Sequence, residues 1–117
     1  MICIIDDDVW ARSGLEDLIS SLGYRARSFK SAEEFVNSGV LPQAKCVITD
    51  LHMPGLNGLE LQTLLRSRGH NVPIIFVTAY PSEAYRARAL AEGAVGFLAK
   101  PCPEGSLIDC LQRAIAV

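Results

Sequence analysis

Asp6, Asp7, Asp50, Thr78 and Lys100 share one kind of position: each stands at or just beyond the end of a short apolar run. Such runs, bounded by turn residues, read as buried strands. Three carboxylates brought within a few ångströms of one another repel strongly and require a counterion. Oxygen-only ligands suit a hard cation, and Mg²⁺ (or Mn²⁺) is the usual choice where carboxylates leave room for water and phosphate oxygens. Lys100 adds a fixed positive charge and Thr78 a hydroxyl donor. The set matches phosphoryl transfer, where catalysis is mainly positioning and neutralisation of the oxygens on the moving group. A carboxylate can itself be the nucleophile, giving an aspartyl phosphate.

Each residue alone has a plainer explanation. Asp8 suits a helix cap, Asp50 a strand-end cap for the next loop, Thr78 an ordinary strand position and Lys100 a solvated charge. Packing demand does not account for their joint appearance at corresponding strand ends. The most informative stretch is Cys46-Val47-Ile48-Thr49-Asp50-Leu51-His52-Met53-Pro54-Gly55, a buried strand ending on a carboxylate and running into a strong turn signal. A carboxylate at the carboxyl end of a buried strand sits where open α/β sheets bind ligands.

The elements that must position these groups follow in strict alternation. Ile2–Ile5 is a continuous apolar run that stops at Asp6-Asp7-Asp8. Leu15, Leu18, Ile19 and Leu22 then mark one face of a helix ending at Gly23, with Asp8 as its N-cap. Tyr24 to Phe29 reads as a weaker, more polar strand. Ser31 and Glu34 form a capping box that opens a short helix through Val36. After the central strand, Leu61, Leu64 and Leu65 mark a third helix closed near Gly69. Pro73 to Val77 is a fourth strand ending on Thr78-Ala79. Ser82 to Glu92 reads as a helix with alanines and one leucine on a thin inward stripe. Ala94 to Leu98 is a fifth strand ending at Lys100-Pro101, and Leu107, Ile108, Leu111 and Ile115 mark the last helix. Five β-then-α units predict a parallel sheet with helices on both faces and right-handed crossovers. The flavodoxin-like strand order 2-1-3-4-5 is one of two common arrangements.

The chain of 117 residues suffices for one domain, 1–117, and is too short for two. Half the residues are hydrophobic and 21% are charged, an ordinary globular balance, and a net charge of -2 carries no broad nucleic-acid footprint. No apolar run approaches the roughly 20 residues of a membrane span, and no charged-then-apolar leader precedes Ile2. The expectation is a cytoplasmic protein with no membrane association. Cys3, Cys46, Cys102 and Cys110 lack C-x-x-C spacing and read as small core residues rather than a zinc or redox site.

Ile5-Asp6-Asp7-Asp8, Thr49-Asp50-Leu51-His52-Met53-Pro54-Gly55-Leu56-Asn57-Gly58, Val77-Thr78-Ala79 and Lys100-Pro101 occur in this order at separations that are specific when taken together. With Gly93-Ala94 and Phe97, they give the whole chain a resemblance to the response-regulator receiver domains of two-component signalling. The spacing is similar above all to receivers of transcription-factor response regulators.

The resemblance implies that Asp50 is a phosphoacceptor served by the phosphohistidine of a sensor histidine kinase. It implies that Asp7, with Asp6 partly through water, holds Mg²⁺ together with Asp50 and the main-chain carbonyl of His52. Thr78 and Lys100 would each meet a phosphoryl oxygen. Phe97 takes the switch-aromatic position, where family members more often carry Tyr, and keeps the ring without the hydroxyl. With Thr78 it would alter the surface of the fourth helix, fifth strand and fifth helix, favouring a homodimer on phosphorylation. His52 and Tyr80 are surface-facing positions able to tune phosphoryl lifetime, and His52 and His70 read as exposed loop histidines. DNA would be reached only through an output domain not in this chain.

On this reading the protein is a phosphorylation-dependent switch acting on itself, rather than a turnover enzyme. A stand-alone receiver or phosphorelay module acting by protein–protein binding is an alternative. A binding module that keeps the fold without the chemistry conflicts with the complete acid, hydroxyl and lysine set. An aspartyl-nucleophile phosphohydrolase would need a second Asp two residues after the nucleophile, where His52 stands. A flavodoxin-type protein would set acids against a flavin phosphate.

Overall fold

The most apolar runs take the interior of one parallel sheet. In a computed structural model describing residues 1–115, β1 (Ile2–Ile5), β3 (Cys46–Thr49) and β4 (Ile74–Thr78) are buried along their whole length. The strands with exposed positions, β2 (Ala26–Phe29) and β5 (Gly96–Ala99), lie at the two edges. The order is β2-β1-β3-β4-β5, as the alternating pattern predicts. Helices α1 (Val9–Ser21), α2 (Ala32–Asn37), α3 (Gly58–Ser67), α4 (Glu83–Ala91) and α5 (Glu104–Ile115) form the connections and the C-terminal element, with a 3₁₀ turn at Leu41–Gln43. Covering both faces is what lets β1, β3 and β4 be apolar throughout.

Alternate residues of each strand serve opposite faces. Cys3, Ile5, Val47, Ile74 and Phe76 join one core with Phe35 of α2 and Leu61 and Leu65 of α3. Ile2, Ile4, Cys46, Ile48, Ile75 and Val77 join another with Ile19 of α1 and Leu107 and Leu111 of α5.

Register brings the functional ends together. Ile5 pairs with Phe29 and with Thr49, and Thr78 pairs with Ala99. The ladder runs one residue further at each junction: Asp6 N–H donates to Phe29 O (3.1 Å), Asp50 N–H to Ile5 O (2.9 Å) and Lys100 N–H to Thr78 O (2.7 Å). Asp6, Asp50 and Lys100 are therefore fixed by backbone hydrogen bonds as extensions of a buried sheet.

Several local expectations are corrected. β5 begins at Gly96 rather than Ala94, because Ala94 N–H closes α4 by donating to Ala89 O (3.0 Å). β2 begins at Ala26 rather than Tyr24, and Leu22 is 38% exposed where the helix runs past the core. On α4 the buried residue is Ala89, while Leu90 is 37% exposed and turned outward. Ser31 accepts from Glu34 N–H as expected (3.0 Å), but the Glu34 carboxylate takes the Lys30 N–H (3.4 Å), so this box is incomplete. The reciprocal box is at α3, where Asn57 Oδ1 accepts from Glu60 N–H (2.8 Å) and Glu60 Oε1 from Asn57 N–H (3.0 Å). Asp8 does cap α1, accepting from Trp10 N–H at 2.9 Å.

Candidate functional site

The loop after β3 is pinned from both sides. Leu51 and Met53 turn into the core, leaving His52 exposed between them. Gly58, the first residue of α3, donates its N–H to Leu51 O (3.0 Å). A Cβ on Gly58 would stand 2.6 Å from Asp50 O and 2.9 Å from the Phe76 ring, so only glycine allows α3 to start this close to the acid. Gly55 turns the loop with φ +77°, and Glu33 of α2 accepts the Leu56 N–H at 3.0 Å, which holds the Glu33 carboxyl below its usual range.

Asp6, Asp7, Asp50 and Lys100 converge at this edge. Lys100 Nζ donates to Asp6 Oδ2 at 2.6 Å and to Asp50 Oδ2 at 3.0 Å. The other Asp6 oxygen, Oδ1, accepts from Asp8 N–H (2.9 Å), and Arg12 Nη1 donates to the Asp6 carbonyl (2.8 Å). Asp6 is only 2% exposed, and burial pushes its carboxyl above the ordinary Asp value even though Lys100 and the Asp8 N–H pull it down. Burial also pulls the Lys100 ammonium down, but its hydrogen bonds to Asp6 and Asp50 and the charges of both outweigh that and leave it raised. A 2.6 Å contact is the geometry of an ion pair.

Asp7 faces solvent beside this pair. One carboxylate oxygen from each of Asp6, Asp7 and Asp50 lies within 4.8 Å of the others. Three hard oxygen donors at that spacing fit Mg²⁺, which binds carboxylates while keeping several waters. Lys100 offsets only part of the charge of three carboxylates, which leaves the cluster able to hold a further cation.

The Thr78 hydroxyl bonds none of the three acids, although its carbonyl accepts the Lys100 N–H. Thr78 is fully buried at the end of β4, and its Oγ1 accepts from Tyr80 N–H at 3.2 Å. Phe97 is half-buried on β5, its ring 6.1 Å from that of Phe76 and packed on the core beneath α2 and α3. His52 donates its N–H to Asp50 Oδ1 (3.2 Å), while its ring points away towards Tyr80 and Tyr85. His70 is half-buried, away from these groups, in a cavity of about 300 Å³ between α3 and the end of α4.

Pattern does not single out Gln62, because a polar residue on α3 reads as surface. It is 1% exposed, and its Nε2 donates to Ala89 O (3.0 Å), tying α3 to α4. The Asn57–Glu60 spacing was a readable cap signal. Among the described residues no helix is long and apolar enough to cross a membrane.

Comparison with known proteins agrees with this architecture. Residues 2–112 match the family model described as response regulator receiver domain. The chain is 34% identical over 116 residues to the transcriptional regulatory protein TdiR of Thauera aromatica, covering 99% of this chain and 51% of that protein. It superposes on the response regulator StyR with a TM-score of 0.91 at 34% identity, covering 98% of this chain and 58% of that one. For the crystal structure of FixJ-N the TM-score is 0.87 at 29% identity, covering 98% and 92%. The chain spans about half the length of the curated relatives it matches. With five parallel strands in the order 2-1-3-4-5 and a family match over nearly all its length, this chain belongs to the receiver domains of response regulators.

Proposed function

We propose that Asp50 accepts a phosphoryl group from the phosphohistidine of a sensor histidine kinase, and that the modified domain switches an output. The observation that carries this reading is the Asp50 carboxylate itself, held at a strand end 3.0 Å from Lys100 and sharing a possible cation site with Asp6 and Asp7. In the transfer, an Asp50 oxygen forms a bond to phosphorus as the bond from phosphorus to the imidazole nitrogen breaks. The imidazole keeps the electron pair and takes up a proton from solvent. Asp6, Asp7, Asp50 and the His52 main-chain carbonyl would hold Mg²⁺, which when bound neutralises charge on the phosphoryl oxygens. Lys100 is placed to follow the new oxygens without leaving the site. The same groups serve slow hydrolysis, so the domain acts on itself and has no separate turnover substrate.

Phosphorylation adds about one to two negative charges at neutral pH. Thr78 must approach to about 3 Å to donate to a new oxygen. That movement opens space on the face of the sheet where Phe97 packs, coupling the acid to the α4–β5–α5 surface. We infer that this surface then favours self-association, and that the output is transcriptional through a segment outside this chain, as the name of TdiR suggests.

The test is intact mass after incubation with Mg²⁺ and acetyl phosphate. A gain of about 80 Da is expected in the wild type and none in Asp50→Asn; an equal gain in the variant rejects the assignment. Thr78→Ala should keep the adduct and lose the beryllofluoride-induced amide shifts at Phe97 and α4. Sedimentation with and without beryllofluoride reads the self-association.

A further inference from the structure

His52 closes a circuit of contacts that phosphoryl transfer does not require. Its backbone N–H donates to Asp50 Oδ1 (3.2 Å), its Nε2 lies 3.3 Å from the Tyr80 carbonyl, and Tyr80 N–H donates to Thr78 Oγ1 (3.2 Å). A carbonyl oxygen only accepts, so in this contact Nε2 carries the proton. Asp50 and Thr78 are thus joined by hydrogen bonds that run over the outside of the site. The same imidazole meets the ring of Tyr80 edge-on at 6.0 Å and that of Tyr85 at 5.5 Å.

Tyr85 belongs to the first turn of α4, and α4 is weakly held. Its buried residue is Ala89, and Gln62 bonds that same residue's carbonyl, so both attachments lie towards the C-terminal end. At the other end, Tyr85 is 41% exposed and packs on the His52 ring.

We propose that His52 is a positioning residue, a latch holding the Tyr80 loop and the first half of α4 in the unphosphorylated arrangement. The proposal rests on the reading of Asp50 as phosphoacceptor and of Thr78 as the hydroxyl that follows the phosphoryl group. Moving Thr78 inward carries the Tyr80 peptide with it, and the Tyr80 carbonyl then leaves Nε2. The contact is made in one state and lost in the other, so it sets the balance between them. Because coupling is reciprocal, loosening the latch makes the phosphorylated arrangement easier to reach.

Two measurements on the intact chain test this, using His52→Ala, His52→Phe (ring kept, donor lost) and His52→Gln (donor kept, ring lost). The first is amide hydrogen exchange without metal or phosphate mimic. Exchange across Tyr85–Arg88 should rise about tenfold in His52→Ala, the size expected for losing one hydrogen bond and an exposed aromatic pair. The Phe and Gln variants should recover part of the protection, with α1 unchanged. Unaltered α4 exchange, or an equal rise in α1 and α4, overturns the latch. The second is beryllofluoride titration at saturating Mg²⁺, where His52→Ala should bind several-fold more tightly than wild type; weaker or equal binding overturns the proposal. A wild type that takes no beryllofluoride rejects the phosphoacceptor reading instead, and the exchange comparison still decides the latch.

Discussion

Lys100 Nζ stands 2.6 Å from Asp6 Oδ2, a contact between residues 94 positions apart that ties the last strand end to the first. The two partners make stability depend on pH in two windows, the first set by the burial of Asp6 and the second by the contact. Burial raises the Asp6 carboxyl, so the folded protein keeps a proton that the unfolded chain has lost. Stability therefore falls as pH rises from about 4 through the raised value, then levels off. Lys100 is raised too, because its carboxylate contacts outweigh burial. Its contribution is complete below the ordinary lysine value and is lost as pH climbs through the raised one. Lys100→Met should abolish that alkaline loss, move the Asp6 window upward, and lower stability at pH 7 by about 2 kcal/mol, a buried pair discounted for partial exposure. Urea denaturation across pH checks this, and an unchanged pH profile would contradict it.

Asp7 offers a carboxylate that the fold does not need. Asp7→Ala should change stability by no more than about 0.5 kcal/mol without metal, with a small gain where repulsion is relieved. Mg²⁺ at a hundredfold excess over its dissociation constant should stabilise the wild type by about 2.7 kcal/mol and the variant by far less. Calorimetric titration of both proteins measures the affinities; equal values would remove Asp7 from the metal site.

Gly58→Ala should be among the most damaging conservative changes. Its Cβ would stand 2.6 Å from backbone, the Asp50 carbonyl, which cannot rotate aside as a side chain can. The expected cost is about 2–3 kcal/mol, the upper part of the overpacking range. A variant that unfolds at the wild-type urea midpoint would show that the α3 entry yields easily.

The thiols should separate by burial. Burial pushes Cys46 up to about 12 and Cys3 up to about 11, and both are closed from solvent. Cys102 is half-buried and raised chiefly by burial, yet it alone among the four cysteines has partial access. A disulfide reagent at pH 8 should label Cys102 first and the other three only on unfolding. Early labelling of Cys46 would mean that the sheet opens locally.

Much of the arrangement was legible because strand ends are set by backbone geometry. Once Ile2–Ile5, Cys46–Thr49 and Ile74–Thr78 are read as parallel strands, Asp6 and Asp50 must emerge together. What pattern could not supply is side-chain partnership. That Lys100 holds Asp6 as well as Asp50 depends on a bond between two ends of the chain. Leucine usually faces inward, but on α4 it is Ala89 that is buried, its carbonyl bonded by Gln62, and the next residue, Leu90, is 37% exposed. The meeting of His52 with Tyr85 likewise arises where two loops and a helix come together, which no periodicity encodes.

Phe97 and Leu98 are neighbours on β5 but belong to opposite cores. The sheet between those cores is a shared inheritance on which two lineages of change can proceed separately. Side chains that point to opposite faces of a buried sheet share few partners, and substitutions more than about 10 Å apart with no shared partner add to within about 0.5 kcal/mol. Variation on the α1–α5 side therefore leaves the α2–α3 core and Phe97 untaxed. A descendant of this chain can diverge on one face while the other keeps its ancestral form.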